Sequence, residues 1–248
     1  MTFHTLLSRL KTYAELELQA EKPLHWRILH IFDTTKQHQK KRNRNRKFME
    51  QTKAIFLQDL ITYPPDIIAS LWILNRIPFP FEGDAKSYES WRQKLAKLVE
   101  VDASEIMITG SGAFGISLNP FKNYKVYDKD SDIDVAIVSE YFFNTSWRSL
   151  RNIGSKRHGL PQAAKQSIQD HVERYIYWGT IATDKILPYL PFGKVWSAAL
   201  EEMAKEVPTK NREIKARIYK DFDSLRAYQV NNLKNLRSAE LEKGIKNV

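Results

Sequence analysis

The feature that most restricts the fold is the run Ile133–Val138, which is rich in β-branched residues and broken by one charge, at Asp134. Such a run is typical of a largely buried strand. Asp132 and Asp134 are two positions apart, so a strand presents both carboxylates on one face while Ile133 points into the core. Two carboxylates so placed repel each other unless cations join them. The run therefore predicts a core strand that carries a cation-binding pair.

A glycine-rich turn lies upstream of this strand. Residues 105–109 alternate and end at Gly110, which predicts a strand that runs into the turn Gly-Ser-Gly-Ala-Phe-Gly. Such a turn exposes backbone N–H groups to a polyphosphate, and a helix that starts there adds its positive end. Taken alone, each motif has a plainer explanation: an ordinary tight turn, and a solvated strand end. Their combination within one domain is more informative.

The strand, the Gly110-Ser111 turn and the Ser131-Asp132-Ile133-Asp134 motif together resemble the DNA polymerase β-like nucleotidyltransferase superfamily. The resemblance extends over residues 86–140. More narrowly, residues 110–118 and the Ser-Asp-Ile-Asp strand look like bacterial nucleotidyltransferases, including relatives of the cyclic-oligonucleotide synthases used in phage defence. The resemblance implies that Gly110 and Ser111 hold the terminal phosphates of a nucleoside triphosphate. The nucleotide-binding residues that it implies are Gly110, Ser111, Gly112, Gly115 and Ser131.

The resemblance also implies a site for Mg²⁺ or Mn²⁺, with Asp132 and Asp134 as catalytic metal ligands. A third carboxylate from a later strand normally completes the family's site. Asp184 is the best candidate, because short apolar residues surround it. If no residue fills this place, the chain is a lapsed relative that only binds nucleotide.

The connection from Ser111 to Asp132 is longer than is usual in this family. It is basic and polar, with Lys122, Lys125 and Lys129 among its residues, besides Asn119 and Asn123. Two interpretations stay open, a hairpin that touches the triphosphate or the acceptor, and a passive surface loop.

The implied activity is transfer of a nucleoside monophosphate from a triphosphate, with ATP expected, to a hydroxyl of a nucleotide, an RNA end or a protein, with release of pyrophosphate. A setting in phage defence is part of this expectation. The alternative is a catalytically lapsed nucleotidyltransferase-fold protein that binds nucleic acid or a protein partner.

Charge bears on the partner. The net charge of +10 and the basic tract at 36–47 favour polyanions, so RNA, tRNA or DNA are candidate partners through this tract. The sequence has no cysteine, which excludes disulfides, thiolate metal sites and cysteine nucleophiles. The longest apolar run is too short to span a bilayer and no signal-peptide pattern is visible, so we expect a cytoplasmic protein without membrane contact.

Periodicity divides the chain into three regions: helices with the basic tract at 1–83, a mixed α/β region at 84–196, and a helical region at 197–248. The resemblance implies that the region 84–196 is the nucleotidyltransferase core. In the last, Ile214, Ile218 and later apolar residues mark a long amphipathic helix, which packs on the core or binds a protein partner. The predicted class is α+β, with a small mixed sheet flanked by N- and C-terminal helices.

Overall fold

This computed structural model describes residues 49–119 and 122–246, without the side chains of 155–157 and 244–246. The chain divides into two compact units, Met1–Gln51 and Thr52–Val248. Residues 49–51 of the first unit are described, and they are helical. The sheet and the candidate site belong to the second unit. The basic tract at 36–47 lies outside the described residues.

A four-stranded mixed sheet forms the centre of the described part of the second unit. The strands are β1 (Ile106–Thr109), β2 (Ile133–Val138), β3 (Thr180–Ala182) and β4 (Ile214–Tyr219), in the order β1-β2-β4-β3. Strand β2 is antiparallel to β1 and parallel to β4, while β3 is antiparallel to β4. This register places Asp134 between Thr109 on one side and Lys215 on the other. The predicted α+β class with a small mixed sheet is confirmed.

Helices surround this sheet. Their bounds are α1 (52–62), α2 (Pro65–Ile68), α3 (Ala85–Val99), α4 (Gly110–Phe114), α5 (Glu140–Ile153), α6 (Gln162–Asp170), α7 (Gly193–Met203) and α8 (Phe222–Lys246). Asp84 caps α3, and its carboxylate accepts hydrogen bonds of 3.0 Å from the N–H groups of Lys86 and Ser87. Within the described residues, no helix is long and apolar enough to cross a bilayer.

Strand β4 corrects the prediction for the C-terminal region. We expected a helix to include Ile214 and Ile218, because a spacing of four suits a helical face. That expectation is wrong, since the stretch is a strand with Ile214, Ala216 and Ile218 buried in the core. The same residues fit the period of two that a strand requires. Region 197–248 therefore supplies an inner strand of the sheet, which extends past the expected boundary of 84–196.

The two faces of the sheet have different characters. On one face Ile133, Val135 and Ile137 pack in a large apolar core to which α3, α5 and α7 contribute. On the other face Ala136 and Val138 pack in a smaller cluster that is joined by α8. Because side chains alternate along a strand, Asp132 and Asp134 lie on this second face. Burial of the first face fixes the strand register that presents the carboxylates on the second.

Helix α8 covers the second face only in part. It begins at Phe222, shortly after β4 ends at Tyr219, so the short connection turns the helix back along the sheet. Its first turn packs Leu225 into the apolar cluster with Val138 and Tyr219. Further along, Gln229, Asn232, Asn235 and Leu236 line a cavity at the end of the sheet that carries the carboxylates. The candidate site thus lies between the polar end of the sheet and the middle of α8.

Candidate active site

The turn after β1 brings the backbone against Asp134. Helix α4 starts at Gly110, whose φ is +60°. This left-handed conformation is strained for a residue with a side chain. A Cβ at position 110 would also collide with the carboxylate of Asp134. Only glycine permits both the conformation and this close approach.

Asp132 and Asp134 lie together, as the sequence predicts. Both line a cavity of about 530 Å³, and Gly110 and Ser111 line the same cavity. Ile133, between the two aspartates, is fully buried in the core on the opposite face. The antiparallel pairing of β1 with β2 explains the juxtaposition, because the end of β1 meets the start of β2. The fold therefore joins the glycine-serine turn to the two carboxylates.

The carboxylate of Asp134 carries poorly compensated negative charge. Its pKa is raised to about 6, first because burial disfavours the ionised form and second because the charge of Asp132 repels it. Arg217, Lys215 and Lys122 act in the opposite direction without cancelling the shift. A further cation at this position would be favourable.

Lys215 on β4 is a site residue that sequence reasoning missed, because its strand was taken for a helix. Its Nζ donates a hydrogen bond of 2.6 Å to Oδ2 of Asp132 and lies 3.4 Å from Oε2 of Glu213. Burial is the largest single influence and acts to raise the pKa of Asp132, but the hydrogen bond and charge of Lys215, with smaller contributions that include Lys122, together hold the pKa below its ordinary value. The side chains of Lys215 and Asp132 are each 31% exposed, so solvent screens the pair in part. Asp132 has a protein cation as partner, in contrast to the undercompensated Asp134.

Over its described residues, 112–119 and 122–131, the connection between Ser111 and Asp132 pairs with itself as a hairpin, and contact of this hairpin with the triphosphate or the acceptor stays a prediction. Ile116 and Val126 pair in an antiparallel bridge, and the N–H of Ser117 donates a 2.9 Å hydrogen bond to the carbonyl of Lys125. The hairpin borders a second cavity, of about 420 Å³, lined also by Ser111 and Asp132. The cations that line this cavity are Lys122, Lys125, Lys129, Arg212 and Lys215. Asp130, Asp132 and Glu213 line it too, so an anionic ligand would meet a modest excess of positive charge there.

Asp184 lies near Asp134 but not in a three-carboxylate cluster. It is exposed, follows β3 by two residues, and lines a cavity of about 190 Å³ with Gly110, Asp134 and Lys215. Among the described residues, no three His, Asp or Glu side chains are grouped so that they could hold a metal ion. On the adjacent strand, the residue opposite Asp134 is Lys215 rather than an acid. A role for Asp184 as third ligand stays a prediction.

The other residues implied in nucleotide binding have structural contacts. Gly112 is buried, and a Cβ there would press on the side chain of Ile108. Gly115 ends α4 with a φ of +95°. The hydroxyl of Ser131 lies 3.0 Å from both the N–H and the carboxylate of Asp128. Ser131 also lines the basic cavity, whereas neither glycine lines any of the three cavities described here.

The two aspartates fit a divalent cation that is shared with a phosphate ligand. Mg²⁺ is commonly held by one or two carboxylates together with waters and substrate phosphates. Asp132 and Asp134 supply two such carboxylates in one cavity, and the raised pKa of Asp134 reflects charge that the protein leaves undercompensated. Oxygen ligands of this kind suit Mg²⁺ or Mn²⁺.

Taken together, the fold and the site define an α+β protein with a carboxylate pair, a glycine-serine turn and a basic hairpin around adjoining cavities. This combination suits a ligand that brings phosphates and a divalent cation at once. Comparisons with protein-family models, with curated proteins and with solved structures found no match to this chain. The function is therefore inferred from the site itself.

Proposed function

We propose that this chain is a Mg²⁺- or Mn²⁺-dependent nucleotidyltransferase that moves a nucleoside monophosphate from a triphosphate, with ATP expected, to a hydroxyl acceptor. The observation that supports this most is that Gly110, Ser111, Asp132 and Asp134 line one cavity. In the reaction, the acceptor oxygen bonds to the α-phosphorus while the bond from that phosphorus to the oxygen bridging to the β-phosphorus breaks. The acceptor proton passes to solvent, and pyrophosphate leaves.

The chain's own groups position the triphosphate and neutralise its charge. Asp132 and Asp134 would hold the cation, which supplies charge neutralisation for the transferred and leaving phosphoryl groups when it is bound. Ser111 offers a hydroxyl to the terminal phosphates, and Gly110 lets the turn approach the carboxylate of Asp134 closely. Lys122 borders the same cavity and adds a positive charge. Catalysis by positioning and electrostatics needs no covalent enzyme intermediate.

The acceptor is a nucleotide, an RNA end or a protein side chain. The basic cavity beside Ser111 and Asp132 supports an acceptor that carries phosphates, because Lys125, Lys129 and Arg212 line it. A setting in phage defence belongs to the proposal through the resemblance of residues 110–118 and the Ser-Asp-Ile-Asp strand.

The test is incubation of the purified chain with each of the four α-³²P-labelled nucleoside triphosphates and Mg²⁺ or Mn²⁺, with and without RNA. We expect label in a product in at least one lane. The product should be lost in the Asp132→Ala/Asp134→Ala double variant. Equal product from both proteins would assign the activity to a contaminant or another site.

A second candidate is a catalytically lapsed nucleotide-binding protein, and the Lys215–Asp132 ion pair favours it. A lysine within 2.6 Å of Asp132 compensates that carboxylate without any metal ion. In addition, Lys215 stands opposite Asp134 on the strand next to β2. A site of this kind would bind a triphosphate through its cations and leave it intact.

Calorimetry distinguishes the two candidates. The lapsed protein would bind a nucleoside triphosphate with little dependence on divalent cations and would yield no labelled product in any lane. The enzyme would bind the same triphosphate more tightly with Mg²⁺ or Mn²⁺ present and would release pyrophosphate.

A further inference from the structure

Three amide side chains of α8 line the cavity that Gly110 and Ser111 also line. Gln229, Asn232 and Asn235 recur every three residues, so they share one helix face over about 9 Å. All three border the 530 Å³ cavity that contains Asp132 and Asp134. We name these residues the amide stripe.

Two buried leucines anchor the part of α8 that presents the amide stripe. Leu233 and Leu236 are buried, with exposed fractions of 0% and 1%, and they anchor this part of α8. Asn232 and Asn235 are exposed to the open cavity. Over the part of the chain that the structure describes, neither asparagine side chain has a hydrogen-bond partner. Gln229 differs, because it is buried and its Nε2 donates a 3.5 Å hydrogen bond to the hydroxyl of Tyr219.

Two kinds of polar group line the cavity. The carboxylates and Lys122 suit a cation with phosphates. The amide stripe carries no charge, and each amide offers both donors and an acceptor. Such groups match the edges of nucleobases and the hydroxyls of ribose, as in the two-bond pairing of Asn or Gln with adenine. A volume of about 530 Å³ is within the range of small-molecule sites.

We propose that the amide stripe binds the nucleoside part of the triphosphate, with Asn232 and Asn235 making hydrogen bonds to its base or ribose. This assignment rests on the proposed function. It adds recognition of the base or ribose, which distinguishes a nucleotide from a polyphosphate. The phosphates lie toward Gly110 and Ser111, and the nucleoside lies along α8.

The test is isothermal titration with non-hydrolysable analogues of the four nucleoside triphosphates and, separately, with inorganic tripolyphosphate, all with Mg²⁺. The Asn232→Ala/Asn235→Ala variant should bind its preferred analogue at least about tenfold more weakly, since each lost hydrogen bond weakens binding severalfold. Its affinity for tripolyphosphate should stay unchanged. Alanine favours helix, so α8 should keep its structure, and thermal melting checks this.

Asn231→Ala is the matched control, because Asn231 is on the same helix and lines none of the three cavities described. It should bind both ligands as the wild type does. Unchanged binding of the analogue by the double variant, or an equal loss for tripolyphosphate, overturns the inference and leaves the proposed enzyme standing. A wild type that binds no nucleoside triphosphate refutes the proposed function, and the inference with it.

Discussion

Strands β2 and β4 are parallel neighbours with opposite charge on the same face of the sheet. Both bury one row of apolar residues in the main core. On the other row, β2 presents Asp134 where β4 presents Lys215, and Ala136 where β4 presents Arg217. The acidic strand was predictable from sequence and the basic one was not. The site is therefore a carboxylate pair with a built-in cation, rather than carboxylates alone.

The comparison also separates the two aspartates. Asp132 is the carboxylate that Lys215 neutralises, and its pKa is lowered. Asp134 is the more deeply placed carboxylate, and its pKa is raised to about 6. We infer that a bound cation stabilises the charge of Asp134 most strongly, because the Asp132 carboxylate already interacts with Lys215.

The largest expected effect is on catalysis. Replacing Asp134 by Asn, or Asp132 by Asn, should lower turnover by about 1,000-fold, because each change removes a charge that holds the cation. Labelled-product formation measures this, with melting temperatures as the check on folding. Asp223→Asn, at an exposed position in the first turn of α8, is the control and should retain turnover. Wild-type turnover in either site variant would contradict the assigned metal role.

The next effect concerns the approach of the turn to β2. Gly110→Ala forces an L-residue into a φ of +60° and places a Cβ against the carboxylate of Asp134. We expect a loss of about 1–2 kcal/mol in the free energy of unfolding. Turnover should fall about 100-fold through displacement of reacting groups. Urea unfolding and product formation are the measurements. Gly159→Ala provides the control, because a Cβ there meets nothing within 4 Å and no positive φ is required.

A third effect is a pH dependence of stability. The pKa of Asp134 is about 6 in the folded protein against 3.8 ordinarily, so the folded state binds this proton more tightly than the unfolded state does. Stability from this group is complete below pH 3.8 and is lost as the pH rises through about 6. The side chain that Asp134→Asn introduces cannot ionise. The free energy of unfolding of this variant should therefore exceed that of the wild type increasingly across this pH window, by roughly 1–3 kcal/mol at pH 8. Urea unfolding in EDTA from pH 4 to 8 tests this, and a difference that is constant with pH would speak against it.

The smallest effect isolates the basic strand. Lys215→Met removes a positive charge 2.6 Å from Asp132 and keeps a side chain of similar length. Mn²⁺ should then bind on the order of tenfold more tightly in the absence of nucleotide, because a repelling cation is gone. Titration followed by electron paramagnetic resonance measures this affinity. Lys220→Met, at an exposed position just after β4, should leave it unchanged. Weaker Mn²⁺ binding in Lys215→Met would reverse our view of the ion pair.

Local patterns account for the parts that the sequence predicted. β2 is visible as a β-branched run, and its bounds match the expected 133–138. The turn at Gly110 is also local, because it depends on residues within a few positions of one another. The closeness of Gly110 to Asp134 was expected from the resemblance to polymerase β-like nucleotidyltransferases, because that resemblance combines the glycine-serine turn with the aspartate-bearing strand.

Long-range relations account for the parts that it did not predict. Ile214 and Ile218 fit a period of four as well as a period of two, and only pairing with β2 and β3 makes the stretch a strand. The same pairing places Lys215 beside the two aspartates, which its position in the sequence does not indicate. The amide stripe forms no motif, because Asn232 and Asn235 look like ordinary exposed helix positions until the helix is laid over the cavity.

The most direct test of the central claim is Mn²⁺ binding measured with a non-hydrolysable nucleoside triphosphate present, since this result is independent of the acceptor. Electron paramagnetic resonance should detect Mn²⁺ bound to the wild type together with the analogue. The Asp132→Asn/Asp134→Asn variant should bind it at least about 100-fold more weakly, while a cooperative melting transition shows that the variant is folded. Equal Mn²⁺ affinity in the two proteins would contradict the account.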